Sequence, residues 1–453
     1  MFALLSLLTL AQSMPTPPAP EPQEIVRPQE VRPLPGQLDP VPVFNSNSPE
    51  RVTTEGILLS TFPPEGKQTP DAHLNFPFNG RFDVFAHHVY QAPSPEDLTS
   101  LYVGIILYNP GDRPVTVHLL QAASYLSQPD APFITLPSIA DNQTGTVFAE
   151  PGSRVMGEIL RGQRQADFPA QVVVEPGQYQ MLMNLPISVR TLDPPLNGRS
   201  TMMRLRSDGT VYAASLALRG QEINGEEVAP TLEDWQAILE TGELAGERDR
   251  TPTPIDQVGG QIIYGRVAGV AQGSIWQAQL TDQPDGMELT IPAAGEAFSY
   301  GLSTLVAGRL GTGQVQTAPL LVRYPDTAYQ AHGNYGIEYN LSLPLHNPTN
   351  QTQTVTVALE TPIKEDELSQ NGLRFFDPLP NPTFFRGTVR VRYNDDRGLP
   401  QTRYVHLVQR RGQQGDPLAI LTMPAGSHRL VEVSFLYPPD ATPPQVLTIQ
   451  TAD

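Results

Sequence analysis

The sequence predicts an all-β protein made of two related β-sandwich lobes, Ig-like or jelly-roll-like, with one short helix between them. Residues 101–122 and 339–361 share one pattern: an alternating apolar strand, an Asn-Pro turn and a second strand containing Val-Thr-Val. Further along, residues 172–187 and 421–438 both read as an apolar strand, a turn with Pro and Gly, and another apolar strand. Alternation with period two is typical of half-buried strands. Two matched features in the same order indicate a duplication.

A short amphipathic helix is predicted between the two copies. Thr231 and Asp234 have the spacing of a capping box, in which the two side chains cap the first turn. Leu232, Trp235 and Leu239 then fall on one face. We expect this helix to cover an open sandwich edge or the junction between the lobes.

The predicted organisation is a signal peptide at 1–13, a Pro-rich linker at 14–49, a first lobe at 50–225, a helix and loop insert at 226–260, and a second lobe at 261–453.

The N-terminus predicts export. Residues 2–11 read FALLSLLTLA, and the small residues Ala11 and Ser13 suit cleavage after Ser13, which would leave a chain that begins at Met14. The run is shorter than the roughly 20 apolar residues that a bilayer span needs, and no later segment is long and apolar enough. Eleven prolines between residues 15 and 49 predict either a stiff spacer or a disordered mature N-terminus.

Composition excludes several classes of function. The net charge of −18 disfavours nucleic acid and anionic membranes as partners. The chain has no cysteine, which excludes thiol nucleophiles and thiolate metal sites. Neither of its two lysines, Lys67 and Lys364, belongs to a phosphate-binding loop, and the G-x-S-x-G and H-E-x-x-H motifs are absent. We therefore expect no cofactor.

An arginine-rich hairpin is the most unusual local feature. Residues 386–411 hold seven arginines in an acidic protein, and Arg390 and Arg392 fall on one face of a predicted strand. Arginine forks suit carboxylate and sulfate groups, and phenylalanines just upstream could stack on sugars. The pattern predicts a site for an anionic polysaccharide, or alternatively a solvated face that pairs with the acidic remainder. The ligand-binding candidates are Arg390, Arg392, Arg403, Phe384 and Phe385.

Asp83 and His87 form a second candidate pair. They lie four residues apart on a predicted strand, hence on the same face, and could together hold a metal ion or act in catalysis. The other interpretation is a hydrogen-bonded structural histidine, and we expect no metal.

Several long stretches resemble an uncharacterised family of exported cyanobacterial proteins, classed as a domain of unknown function. The resemblance lies in residues 32–50 (RPLPGQLDPVPVFNSNSPE), 55–67, 74–90, 121–134, 264–276 and 334–341. It implies a cyanobacterial source and an extracytoplasmic location, in the periplasm or at the cell surface. It implies no catalytic residue.

The resulting functional hypothesis is a non-enzymatic structural or glycan-interacting module of the cell envelope. Its partner would be an anionic polysaccharide or another envelope protein. One alternative is an enzyme that modifies envelope polysaccharide, which a cleft lined by two facing acids would favour. The other is an assembly protein that uses exposed strand edges.

Overall fold

Strands dominate the computed structural model, which describes residues 20–257 and 260–453. The predicted all-β class is confirmed, and the predicted signal peptide lies outside the described residues. The strands of the first half are β1 (Gln23–Pro28), β2 (Glu30–Arg32), β3 (Gln37–Leu38), β4 (Pro42–Ser46), β5 (Arg51–Val52), β6 (Gly56–Ser60), β7 (Phe78–Gln91), β8 (Leu101–Tyr108), β9 (Val115–Leu126), β10 (Ile139–Asp141), β11 (Gln171–Val174), β12 (Tyr179–Ile187), β13 (Leu196–Arg219), β14 (Gln221–Ile223) and β15 (Glu226–Val228).

The second half contributes fourteen strands, and the described part of the chain has two α-helices. The strands are β16 (Ala268–Gln272), β17 (Ile275–Gln279), β18 (Leu289–Thr290), β19 (Ala297–Leu302), β20 (Ala318–Arg323), β21 (Gln330–Ala331), β22 (Glu338–His346), β23 (Gln353–Glu360), β24 (Gly372–Asp377), β25 (Thr383–Asn394), β26 (Pro400–Arg410), β27 (Pro417–Met423), β28 (His428–Leu436) and β29 (Gln445–Thr451). The helices are α1 (Pro151–Leu160) and α2 (Leu232–Thr241), and residues 70–72 and 369–371 form single 3₁₀ turns.

Each lobe is a pair of sheets. In the first lobe the long strand β13 pairs with β7 and β9 along its first half, and with β6 and β8 along its second half. It thereby links the two sheets of that lobe. In the second lobe the sheet β10-β26-β25-β28-β22-β17-β3 and the sheet β2-β19-β29-β23-β27 contribute side chains to one core.

The two lobes repeat one strand motif. β8 pairs with β12 and β9 with β11 in the first lobe, while β22 pairs with β28 and β23 with β27 in the second. The register agrees as well, because Tyr108 lies opposite Tyr179 where His346 lies opposite His428. The duplication predicted from the Asn-Pro turns is therefore present in the strand pairing.

A buried asparagine organises the turn of the first lobe. The Nδ2 atom of Asn109 donates hydrogen bonds to the carbonyl oxygens of Arg113, at 2.7 Å, and Val174, at 2.8 Å. Its Oδ1 atom accepts the backbone N–H of Gly111 at 2.8 Å. One side chain thus ties the β8–β9 turn to the end of β11.

The same side chain makes the same bonds in the second lobe. The Nδ2 atom of Asn347 donates to the carbonyl oxygens of Gln351 and Met423, both at 2.8 Å, and its Oδ1 accepts the N–H of Thr349 at 3.0 Å. Both asparagines are fully buried. We call each of these networks an asparagine latch.

The Pro-rich segment is part of the sheets. β1 pairs with β24, β2 with β19 and β3 with β17, while β4 lies between β7 and β16. For residues 20–49 the prediction of a spacer or a disordered segment is therefore wrong. The physical reason is that proline tolerates extended backbone at strand ends and edges, as Pro28 and Pro42 show by their positions at an end of β1 and β4.

Strand pairing also joins the predicted lobes to each other. β16, β20 and β21 extend the first-lobe sheet through β4, and β10 pairs with β26 at the edge of the second-lobe sheet. The boundaries at residues 225 and 261 remain predictions about the units that were duplicated.

The predicted helix α2 forms with its capping box, in which the side chains of Thr231 and Asp234 each accept the backbone N–H of the other residue. It packs on a sheet face of the first lobe, where the Trp235 ring lies over Gly104 so closely that a Cβ atom there would be 2.7 Å from it. The sequence did not predict α1, since Gly152 and Gly157 are poor helix formers. Tertiary packing compensates, because α1 lies between β9 and β13 of the first lobe and β25 and β28 of the second.

Among the described residues no helix is long and apolar enough to span a membrane.

The asparagine latches predict a stability effect. Asn347→Ala removes the amide that donates to the carbonyl oxygens of Gln351 and Met423, so we expect the free energy of unfolding to fall by about 1–3 kcal/mol. Asn109→Ala should have an effect of similar size. Urea denaturation measures both, with the exposed Asn350→Ala as control. A loss no larger than that of the control would contradict the proposed role of the latch.

Candidate functional site

β25 and β26 form the arginine hairpin, but two of its predicted ligand-binding arginines contact other residues of the protein. Arg390 donates to the carbonyl oxygen of Leu160 at the end of α1, at 3.4 Å, where a positive charge also suits the helix dipole. Arg392 donates to Glu432 at 3.3 Å, and its side chain is about half exposed. These contacts fit the solvated and internally paired face that was the alternative interpretation.

The other hairpin residues do not join the two arginines. Arg403 is the direct cross-strand partner of the buried Val391, so the two side chains share a face of the sheet. Arg390 and Arg392 lie on the opposite face. Phe385 is completely buried in the core against Phe435, so it cannot stack on a ligand at the surface. Phe384 is half-buried. The five predicted residues therefore do not form one surface, and the correction follows from side-chain alternation on β25.

Asp83 and His87 also have separate partners. Asp83 is fully buried and contacts Arg81, Arg204 and Ser274. Burial raises the pKa of its carboxyl, and the two arginines oppose that shift. His87 binds Ser200 through Nδ1 at 2.8 Å and faces Glu50 at 3.7 Å. The histidine is hydrogen-bonded, as the structural interpretation expected.

A cavity of about 200 Å³ lies where β4 meets the segments around residues 264–267, 331–335 and 441–443. We call it the lysine pocket, after Lys364, whose Nζ atom lies 2.5 Å from the hydroxyl of Tyr264. That hydroxyl in turn donates to the carbonyl oxygen of Val306 at 2.6 Å. The imidazole of His332 packs against the Tyr264 ring, with 4.8 Å between ring centroids. An amine, an imidazole and a phenol therefore line one cavity.

The charge state of the lysine pocket is unusual. Burial lowers the pKa of Lys364 to about 8. Burial, and then the charge of Lys364, lowers the pKa of His332 to about 4. At neutral pH the amine therefore remains mainly charged beside a neutral imidazole. The charged amine disfavours a second positive charge there and attracts an incoming anion.

Three buried atoms of the lysine pocket have no hydrogen-bond partner in the protein. They are the Oδ1 atoms of Asn45 and Asn47 and the Nδ1 atom of His332. Buried polar groups without partners are rare in folded proteins, and each such group calls for a physical explanation. The three residues line one cavity, but these atoms have almost no solvent-accessible surface, so a hydrogen bond to a bound molecule requires a movement of their side chains.

A second cavity of about 370 Å³ lies next to the first, and we call it the acidic pocket. Glu50, Glu150, Asp440 and His87 line it, together with the ring of Phe133, which is 61% exposed. Glu50 pairs with Arg266 of the lysine pocket, so one ion pair separates the two cavities.

The carboxyls of the acidic pocket differ in the direction in which their pKa values are shifted. Burial, and then the neighbouring Asp440, raises the pKa of Glu150 to about 8, although two backbone N–H groups at the start of α1 oppose this shift. Burial also raises the pKa of Asp440, opposed by Arg386. For Glu50, hydrogen bonding to His87 and the charge of Arg266 outweigh burial and lower the pKa.

Sequence reasoning missed both pockets, since their residues lie far apart along the chain. One signal was available, because Lys364 is one of only two lysines in the chain. Glu150 is marked by its φ of +80°, a strained backbone for a residue with a side chain, and the sequence cannot show this value.

The chain belongs to the family described as protein of unknown function (DUF3370), whose family model matches residues 29–451. This match confirms the resemblance to a domain of unknown function over most of the chain. No curated protein matches the chain.

The depressed pKa of Lys364 can be measured directly. With ¹³C-labelled lysine, the two lysines give two side-chain signals, and Lys364→Met assigns them. We expect the Lys364 signal to titrate with a midpoint near pH 8 because burial disfavours its charged form. A midpoint near the ordinary lysine value of about 10.4 would contradict the described environment.

Proposed function

We propose that the protein is a non-enzymatic glycan-binding module of the cell envelope, and that its lysine pocket binds a sugar that carries a carboxylate. The observation that carries the proposal is one cavity lined by Lys364 and by Asn45, Asn47 and His332, whose Oδ1 acceptors and Nδ1 atom have no partner in the protein. A uronate offers the complementary groups, a carboxylate for the amine and hydroxyls for the acceptors.

The size of the cavity fits a single sugar ring. An apolar cavity of about 150 Å³ holds benzene in another protein. The lysine pocket, at about 200 Å³, has room for a six-membered ring with its substituents. Tyr264 and Tyr335 add aromatic surface to the lining, against which the apolar face of a sugar can pack.

The charges favour an acidic sugar over a neutral one. Since Lys364 is charged below pH 8, affinity for a carboxylate should fall as pH rises through that value. A bound carboxylate would in turn raise the pKa of the amine. The acidic pocket disfavours a negative group, so the carboxylate should enter on the Lys364 side of the Arg266–Glu50 ion pair.

A location outside the cytoplasm is part of the proposal. The apolar run at residues 2–11 and the small residues before Met14 support it.

One observation favours a different function for the acidic pocket. The pKa of Glu150 is raised to about 8 while that of Glu50 is lowered, which is how glycosidases separate an acid from a base. Against this, both carboxyl oxygens of Glu150 accept N–H groups of Gly152 and Ser153, so the side chain serves as the helix cap. We therefore propose ligand binding as the first candidate function and hydrolysis as the second.

Calorimetric titration of the full chain with glucuronate and galacturonate tests the proposal, with glucose as the neutral comparison. We expect binding of both uronates with a Kd on the order of 1 mM, as is reasonable for one small ligand. Lys364→Met should weaken it at least about tenfold, a loss of roughly 1.4 kcal/mol. Lys67→Met, which removes the only other lysine, is the matched control and should leave it unchanged.

Three results would contradict the proposal. Uronate binding that persists in Lys364→Met would show that the lysine pocket is not the binding site. Loss of binding only in the double variant Arg390→Ala with Arg392→Ala would assign the site to the hairpin. Release of reducing ends from an acidic polysaccharide, abolished by Glu150→Gln, would make the protein an enzyme.

A further inference from the structure

A cluster of two histidines and one glutamate lies in the second lobe, away from both pockets. His346 ends β22 and His428 begins β28, and the two are direct cross-strand partners. Their rings are stacked, with 4.3 Å between centroids and 2° between planes. Backbone pairing therefore holds two imidazoles side by side.

Glu288 completes the cluster from a third strand. It directly precedes β18, whose Thr290 is registered with His346. Its carboxylate oxygens lie 3.0 Å from the Nδ1 atom of His346 and 3.6 Å from the Nδ1 atom of His428. Both imidazoles thus turn the same nitrogen toward one carboxylate.

The first lobe shows what this position holds without the cluster. There the equivalent cross-strand pair is Tyr108 and Tyr179, whose rings pack with that of Phe62. The first lobe therefore fills the position with packed aromatic rings, and the Tyr179 hydroxyl donates to Glu240 at 3.0 Å. The second lobe carries three possible ligands of a metal ion at the same point of the duplicated motif.

We propose that Glu288, His346 and His428 bind a divalent transition metal ion of the zinc class. One ligand atom from each residue lies within 4.8 Å of the others. Ligands at about 2.0–2.2 Å from a tetrahedral zinc ion lie roughly 3.3–3.6 Å apart, so modest side-chain rotations complete the site. Two imidazoles and one carboxylate suit zinc, nickel or copper, whereas calcium and magnesium prefer oxygen ligands throughout.

The exposure of the cluster fits reversible binding. His428 and Glu288 are about half exposed, and His346 is mostly covered. An ion can enter from solvent, and it would fasten the loop before β18 to β22 and β28. A fourth ligand position faces water.

The test is calorimetric titration of the untagged full chain with zinc chloride after treatment with a chelator. We expect one zinc ion per chain, and no binding of calcium or magnesium. The double variant His346→Tyr with His428→Tyr restores the pair found in the first lobe and keeps aromatic stacking. It should bind zinc at least about 100-fold more weakly, since loss of ligands exceeds the 10–100-fold cost of losing an outer partner.

Two controls make the outcome decisive. His118→Tyr replaces an exposed histidine on β9 and should leave zinc affinity unchanged. Zinc should raise the Tm of the wild-type chain and of His118→Tyr, but not that of the double variant. Binding should also weaken from pH 7.5 to 5.5, because protons compete for the ligand nitrogens. Equal zinc affinity in the wild-type chain and the double variant would overturn the proposal.

Discussion

The buried asparagine of each lobe is the constraint on which the rest of the structure depends. Its amide supplies hydrogen-bond donors to carbonyl oxygens of two different turns, at 2.7–2.8 Å, in a place that water does not reach. Without it those carbonyls would lose this donor. The residues that flank the two joined turns are direct cross-strand partners in both lobes. These partners are Tyr108 and Tyr179 in the first lobe, and His346 and His428 in the second.

The two copies of the strand motif differ in the side chains that lie beside the latch. In the first lobe the flanking pair packs with Phe62, whereas in the second it faces Glu288. The segments outside the motif then join the lobes. β1 to β4 cross from one lobe to the other, and α1 packs between them. Both pockets lie along this junction, so their shape depends on segments that neither copy of the motif contains.

The local features were predictable from the sequence, and the long-range ones were not. Alternation around Asn109 and Asn347 predicted the strands, and the capping box at Thr231 predicted α2, because each depends on neighbouring residues. The pairing of the Pro-rich segment depends on partners such as β24, hundreds of residues away, and α1 depends on packing rather than propensity. The hairpin was predicted correctly as a hairpin. The arginines and phenylalanines assigned to it do not converge, since strand alternation separates Arg390 from Arg403 and buries Phe385.

The central claim is that the lysine pocket, formed where the lobes meet, holds an acidic sugar. A crystal structure of the full chain grown with galacturonate tests it most directly. The account predicts one sugar in that cavity, with its carboxylate within hydrogen-bond distance of Lys364 Nζ and hydroxyls on Asn45, Asn47 or His332. A sugar bound in the acidic pocket or on the outer face of the hairpin, with none beside Lys364, would contradict it.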